Sequence, residues 1–502
     1  MLMSAIFRCD ASPSIGAGHV TRCMALAEAL ADFHWRIAFV VGPETLPTVP
    51  ALAASDFNVR VLREQGGGIE AFEEVADPGA DLLVVDHYGR DAAFETACRP
   101  FARKILVFDD ATRRRHDCDL LIDAAAADPA LYATHVPPHA HLLIGPSFAL
   151  LRKSFIARRT EAMERRDGRA VREILVTCGA TDPGNLTSAV LDALEDVAND
   201  VAVTIALSSC APHLEAIRVR QRENRRLVLD SDDIAGLMTK ADLAIGAAGA
   251  TAWERCYLGL PSVLVTSADN QCGIARLMTA FGPPVKFGES DGDFRSHLRD
   301  QVERLLADGK ARTRLAQAAS VLIDGRGALR IIIDLLGEAI GRDKRPIKLR
   351  LAEAADEDWL LHLQRTPSAR RYSRNPAVPT VAEHHCWMRR TLADPGKLLM
   401  LIEADGAKAG TVRLDRLQDL GGASHYEISI AIDPNFHNRG IATAALQLLR
   451  NLTDGAVLDA VVLPDNQASK ALFTRAGFVP VGSRLYRTCP SSQPQVPVRN
   501  EW

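Results

Sequence analysis

Along most of this chain, short apolar runs alternate with stretches whose apolar residues recur at helical spacing. Residues 5–8, 36–41, 59–62, 81–86 and 104–109 are nearly continuous in Val, Ile, Leu and Phe, the pattern of parallel strands covered on both faces. After the first run, Val20, Met24, Ala27 and Ala31 form the stripe of a helix. Strand and helix thus alternate, predicting a doubly wound, Rossmann-like α/β domain over residues 1–165 with ligands beyond the carboxyl ends of its strands. The pattern restarts at residues 173–177 and continues through 201–207, 226–229, 241–245 and 261–265, predicting a second Rossmann-like domain over 166–340. The charged run 341–346, ending in Pro346, reads as a linker. Beyond it the periodicity changes. Runs at 348–351, 397–402, 409–414 and 426–432 predict antiparallel strands of a smaller α+β domain over 347–490, and the Pro-, Ser- and Gln-rich tail past Thr488 reads as disordered.

Polar residues at the predicted strand ends carry the candidate chemistry. Asp10 follows the first strand, and Gly16-Ala17-Gly18-His19 leads into the first helix. A histidine there faces the positive end of the helix dipole, which favours the neutral, proton-accepting imidazole, while free N–H groups can hold an anion. The same turn could equally be a Gly-rich junction whose histidine only helps cap the helix. Thr21 replaces the third glycine of a dinucleotide fingerprint, which sets NAD aside. Asp86-His87-Tyr88 and Asp109-Asp110 end two further strands.

In the second domain, Gly179 follows a strand, and Gly246 to Pro261 places small residues at a strand-to-helix junction. Gly249 and Thr251 would let a diphosphate approach backbone N–H groups, Glu254 could accept hydrogen bonds from ribose, and Asn270-Gln271 could close the pocket. Taken alone, the junction is as readily explained by close helix–strand packing with a solvated Glu254.

Composition narrows the function classes. A net charge of −4 over 502 residues gives no basic footprint for nucleic acid, and Arg113-Arg114-Arg115 reads as a solvated turn. No apolar run reaches bilayer length and the N-terminus enters a strand directly, so no membrane association and a cytoplasmic location are expected. The ten cysteines are scattered without zinc spacing; they are expected to be reduced, with no metal site.

Residues 8–23, His87-Tyr88, residues 143–152, the run 249–261 with Asn270-Gln271, and residues 324–328 together resemble the UDP-sugar hydrolase of the pseudaminic acid pathway. The resemblance covers residues 1 to about 340. It implies a fold like the GT-B glycosyltransferases and removal of UDP from UDP-2,4-diacetamido-2,4,6-trideoxy-β-L-altropyranose without a metal. It makes His19 the residue that activates water, with Asp10 and Tyr88 on the sugar side of the cleft and Gly16, Gly18, Gly179, Gly249, Thr251, Glu254, Asn270 and Gln271 around the substrate.

The third domain carries a different signal. Asp433 to Thr443 joins a strand to a helix through Gly440, and successive N–H groups there can wrap a pyrophosphate. This stretch resembles the acetyl-CoA motif of the GNAT acetyltransferases, R/Q-x-x-G-x-G/A, if His437 replaces the usual first Arg or Gln. The resemblance places Asn438, Arg439, Gly440, Ile441, Ala442 and Thr443 around the pyrophosphate of acetyl-CoA, and residues 461–478 extend it with Asn466 and Ser469. Phe473 stands where that family often has a general-acid tyrosine. Glu427, on the preceding strand, is the candidate base, and is as readily a half-buried strand carboxylate. In the pathway implied, an acetyltransferase acylates the 4-amino group of the UDP-sugar that the hydrolase then cleaves, so one chain would hold consecutive steps. A GT-B transferase with another acceptor, a hydrolase of a sibling nonulosonate pathway and a non-catalytic nucleotide-sugar binder remain the competing readings, and the oligomeric state is open.

Overall fold

The computed structural model describes residues 3–110, 114–195, 197, 200–267, 271–278, 284–287 and 291–488. The predicted tail therefore lies outside the described residues, as do Asn270 and Arg113. The chain divides into two compact units, Met1–Ala328 and Leu329–Trp502.

The first unit holds two all-parallel sheets. One comprises β1 (Ser4–Cys9), β2 (Arg36–Val41), β3 (Asn58–Val61), β4 (Ala80–Asp86), β5 (Ala102–Phe108), β6 (Leu120–Asp123) and β7 (His141–Ile144), in the order β3-β2-β1-β4-β5-β6-β7. The other comprises β8 (Glu173–Thr177), β9 (Ala202–Leu207), β10 (Arg225–Leu229), β11 (Leu243–Ala247), β12 (Ser262–Thr266) and β13 (Val285–Lys286), in the order β10-β9-β8-β11-β12-β13. Their central strands are buried on both faces, as the continuous apolar runs require. Each sheet reverses its winding once, at β1/β4 and at β8/β11. Those two switch points, where the connections leave in opposite directions, are where an open α/β sheet leaves a crevice.

Two details depart from the sequence reading. β6 and β7 are four residues each and too short for their pattern to stand out. β11 runs two residues further than expected, so Gly246 lies inside the strand, where an added Cβ would sit 2.4 Å from the Thr177 carbonyl. Gly246 therefore serves close packing, and the turn narrows to Ala248-Gly249.

The second unit is built on one sheet, β14 (Ala339–Ile340), β15 (Pro346–Leu351), β16 (Lys397–Ala404), β17 (Ala407–Arg416), β18 (His425–Ile432), β19 (Val457–Val461), β20 (Val479–Pro480) and β21 (Leu485–Arg487). The order is β14-β15-β16-β17-β18-β19-β21-β20, antiparallel except for the β18–β19 pair. Residues 341–345, expected as a linker, connect β14 to β15 in an antiparallel pair. Leu399 and Leu401 of β16 pack with Met388 and Trp387 of the Val381–Ala393 helix. Among the described residues no helix is long and apolar enough to cross a membrane.

Candidate functional site

At the first switch point, β1 leads through a turn closed by Gly16 N–H donating to the Ser12 carbonyl (2.8 Å). Gly16 has φ +87°, a conformation glycine adopts at little cost. The helix Gly18–Asp32 follows, with His19 in its first turn and only 8% exposed. Its Nδ1 lies 2.5 Å from Asp86 Oδ1, at the end of β4. Nδ1–H then donates to the carboxylate, leaving the lone pair on Nε2, which has no partner among the described residues. Burial alone would raise the Asp86 pKa, but the Arg22 guanidinium beside it holds the carboxyl well below the usual range. Arg22 also donates to Asp110 at 2.9 and 3.0 Å. Tyr88 sets its ring edge-on to His19, with centroids 4.5 Å apart, and its hydroxyl donates to Asp110 at 3.1 Å.

Asp10, expected on the sugar side of the cleft, is instead enclosed. It is 1% exposed, takes a two-pronged contact from Arg8 (2.5 and 3.1 Å) and accepts the N–H groups of Gly42 (2.7 Å) and Gly66 (3.2 Å). His87 Nε2 lies 3.2 Å away. Breaking a buried pair of this kind costs about 3–5 kcal/mol because the partner's charge is stranded. Asp10 therefore ties together the loops behind the turn, and Asp86, a strand-end carboxylate the sequence reading left without a role, is the partner of His19.

A second buried network supports this edge. Arg114 donates to Asp109 (2.6 Å) and to the carbonyls of His87 (2.8 Å), Tyr88 (3.0 Å) and Arg90 (2.6 Å). It thus fixes the loop carrying Tyr88, which corrects the expected solvated turn at Arg114 alone; Arg115 is exposed as expected. His116, fully buried, lies between Glu95 (Nδ1 at 2.8 Å) and Asp109 (Nε2 at 3.6 Å). Burial alone would lower its pKa, but the two carboxylates outweigh that and raise it to about 9. Its unfolded value is about 6.5, so its stabilisation is fully present below that pH and is lost as pH rises through about 9. Urea unfolding is expected to show a wild-type midpoint that falls between pH 6.5 and 9.5, and a His116→Gln midpoint that is lower and flatter across that window. Equal slopes would refute the assignment. The window avoids Asp123, whose pKa burial pushes up to about 6 despite the hydrogen bond from Tyr132.

The second switch point faces the first. A Cβ on Gly16 would lie 3.8 Å from the Thr181 hydroxyl, in the turn after β8. Gly179 in that turn has φ +113°, and Asp182 caps the next helix by accepting the N–H groups of Leu186 (2.9 Å) and Thr187 (2.7 Å). After β11, Gly249 is the N-cap of the helix Ala250–Tyr257 and leaves open space where a Cβ would stand. Thr251 Oγ1 accepts from Arg255 at 3.4 Å. Glu254, expected to meet ribose, is 4% exposed and receives both prongs of Arg152 (2.8 and 2.9 Å). Gln271 Oε1 accepts the Ser267 N–H at 2.8 Å.

In the second unit, β19 pairs with β18 only over residues 425–427. From Ile428 onward that edge of β18 has no strand partner among the described residues, leaving backbone groups for an extended ligand arm. Asn438 (φ 62°) and Gly440 (φ +80°) turn the chain into the helix Ile441–Leu452, with Gly440 as N-cap. The first-turn N–H groups of Ile441, Ala442 and Thr443 have no intrahelical acceptor. This register places His437 at the first motif position, with its Nε2 3.1 Å from the Ile432 carbonyl. Arg439 donates to the Asn435 carbonyl at 2.8 Å. Asn466 caps the helix Gln467–Arg475 through the Ser469 N–H (3.0 Å). Phe473 is buried against Phe478, with centroids 5.0 Å apart, and Glu427 pairs with Arg374 at 2.6 Å.

Comparisons with known proteins agree with this division. Residues 173–276 match the glycosyltransferase family 28 C-terminal domain, and residues 347–479 match the acetyltransferase (GNAT) domain. The chain is 25% identical over 339 residues to the spore coat polysaccharide biosynthesis protein SpsG of Bacillus subtilis, covering 63% of this chain and 93% of that protein. It is 27% identical over 291 residues to the UDP-2,4-diacetamido-2,4,6-trideoxy-beta-L-altropyranose hydrolase of Campylobacter jejuni, covering 57% of this chain and 99% of that protein. The structure of Acinetobacter baumannii MurG aligns over 66% of this chain and 98% of its own length, with 14% identity and a TM-score of 0.44. The chain is thus similar to a UDP-sugar hydrolase over 57% of its length and matches a GNAT domain on its C-terminal side.

Proposed function

We propose that the first unit hydrolyses UDP-2,4-diacetamido-2,4,6-trideoxy-β-L-altropyranose to the free sugar and UDP. In the step before it, the second unit transfers the acetyl group of acetyl-CoA to the 4-amino group of the UDP-sugar precursor. The observation that carries the reading is the His19–Asp86 pair at the first switch point, with Nε2 free to accept a proton. A water hydrogen-bonded to Nε2 loses its proton to that nitrogen as its oxygen attacks the anomeric carbon. The anomeric C–O bond to UDP breaks on the opposite face, and the anomeric configuration inverts. Asp86 stabilises the imidazolium that forms. Gly179, Gly249 and Thr251 offer backbone and hydroxyl groups to the departing UDP, while Glu254 acts through Arg152 and Gln271 borders the pocket. In the second unit, the N–H groups of residues 441–443 with Asn438, Arg439 and Gly440 hold the pyrophosphate of acetyl-CoA, with Asn466 and Ser469 beside them. Glu427 takes a proton from the acceptor amine. Nucleotide sugars and acetyl-CoA are cytoplasmic metabolites, and we place the activity there.

The test is UDP release in water, with chelator and without an added acceptor, followed by NMR of the sugar. Free sugar with inverted configuration is expected. Release that requires an added acceptor would replace hydrolysis by glycosyl transfer, and release only from a sibling UDP-sugar would move the substrate assignment.

A further inference from the structure

The chain as a whole is slightly acidic, yet one place in the first unit concentrates positive charge. An open cavity of about 310 Å³ lies where residues 165–172 run from the end of the helix Lys153–Glu164 to the start of β8, beside the end of the helix Ile234–Lys240 and the start of β11. Arg165, Arg169, Arg172 and Lys240 line it, with Asp242 and Glu173 as its carboxylates. β8 and β11 have five residues each, so about 16 Å of strand separates this cavity from the turns proposed to hold UDP.

The carboxylates there are already engaged. Asp242 is buried, accepts the backbone N–H groups of Arg172 (2.9 Å) and Glu173 (3.1 Å), and stands 3.8 Å from Arg165. Glu173 accepts from the Thr204 hydroxyl (2.6 Å) and from Arg226 (3.0 Å). Asp167 pairs with Arg169 where both are exposed, a weak contact in water. The Arg172 guanidinium and the Lys240 ammonium have no side-chain partner among the described residues, and Arg165 Nε is enclosed without one, a costly state that a bound acceptor would relieve. Behind the cavity two buried guanidiniums add charge that no carboxylate balances. Arg166 donates to the carbonyls of Leu258, Ala241 and Met238 (3.2, 2.7 and 2.9 Å), and Arg312 to those of Leu306, Gly168 and Arg169 (3.1, 3.0 and 2.6 Å). Burial lowers the Arg166 pKa to about 10, and the neighbouring Arg165 and Arg169 push it down further against the pull of Asp242.

We propose that this cavity is a phosphate site separate from the cleft, in which Arg165, Arg172 and Lys240 bind a diphosphate or a phosphate ester. The forked guanidinium of Arg172 matches two phosphate oxygens, Arg165 offers its enclosed Nε–H, and Lys240 adds a point charge. A multiply charged phosphate answers three converging cations better than a single carboxylate does, and it offsets the field of Arg166 and Arg312 behind them. Ala170 is the largest apolar side chain of the lining, which gives a nucleobase or an acyl chain nothing to pack on. Recognition therefore rests on the phosphate itself, whether a soluble phosphate compound or a lipid headgroup carries it.

The experiment titrates the full chain with inorganic pyrophosphate by calorimetry at physiological ionic strength, with UDP and CoA present at saturation so that the two nucleotide sites proposed above are filled. A parallel arm sediments the chain with phosphatidylcholine vesicles made with and without phosphatidylglycerol. Arg172→Gln and Lys240→Gln replace exposed side chains and do not threaten folding. Each is expected to raise the Kd for pyrophosphate about tenfold, the scale of one lost hydrogen bond to a charged group, while UDP release stays within about twofold. Pyrophosphate binding that both substitutions weaken, without sedimentation, supports a site for a soluble phosphate compound. Sedimentation only with phosphatidylglycerol, lost in both variants, supports the same site with a lipid headgroup as its ligand. Pyrophosphate binding that neither substitution changes overturns the proposal, as does a wild-type chain that binds neither pyrophosphate nor the anionic vesicles.

Discussion

Replacing His19 by alanine is expected to lower kcat for UDP release about a thousandfold, the usual scale for loss of a positioned general base, while the Kd for UDP stays within about twofold. Calorimetric titration with UDP and a stopped assay of UDP release read the two quantities separately. The expectation follows from the placement of His19: its Nδ1 is committed to Asp86 and only Nε2 remains for chemistry. The diphosphate contacts proposed above come from the turns after β8 and β11, which do not include it. Asp86→Asn should retain the ring's position but remove the charge that stabilises the imidazolium, lowering kcat about a hundredfold with KM little changed. Loss of UDP binding in His19→Ala would instead make the histidine a ligand contact and would remove the base from the scheme.

The sequence located His19 because a Gly-rich turn between an apolar run and a helical stripe is a local signal. Its partner was not local. Asp10 and Asp86 are both strand-end aspartates, and the pattern along the chain treats them alike. What separates them is the pairing of β1 with β4, which puts Asp86 beside Cys9 in the ladder, and the fork of Arg8, which claims Asp10. Glu254 illustrates the same limit. Its distance from Gly249 made it a plausible ribose contact, yet Arg152, 102 positions earlier, takes both of its oxygens. Arg114 was obscured for the opposite reason, because a run of three arginines resembles a solvated surface until one of them is seen holding three carbonyls. Fold class was legible because parallel strands buried on both faces need continuous apolar runs. The short β6 and β7 and the β14–β15 pair depend on neighbours supplied by the rest of the sheet, so their own residues say little.

In the second unit the turn that precedes the helix Ile441–Leu452 is the point where a single substitution should do most. Gly440 has φ +80°, and an added Cβ would stand 2.9 Å from the Arg342 backbone nitrogen, which donates to the Arg439 carbonyl at 2.8 Å. Valine there meets two costs at once: a left-handed conformation that β-branched residues avoid, and a clash with backbone that cannot rotate away. The chain relieves both by moving residues 439–441, and that movement misaligns the N–H groups of Ile441, Ala442 and Thr443 that are proposed to hold the pyrophosphate. Gly440→Val is therefore expected to weaken acetyl-CoA binding at least a hundredfold, read by calorimetry, and to abolish CoA release. UDP release should stay within about twofold, because the substitution lies outside residues 1–328 that carry the His19–Asp86 pair. Acetyl-CoA binding that survives the change would place the cofactor elsewhere on the sheet. A parallel loss of UDP release would mean that the two activities are coupled rather than housed independently in one chain.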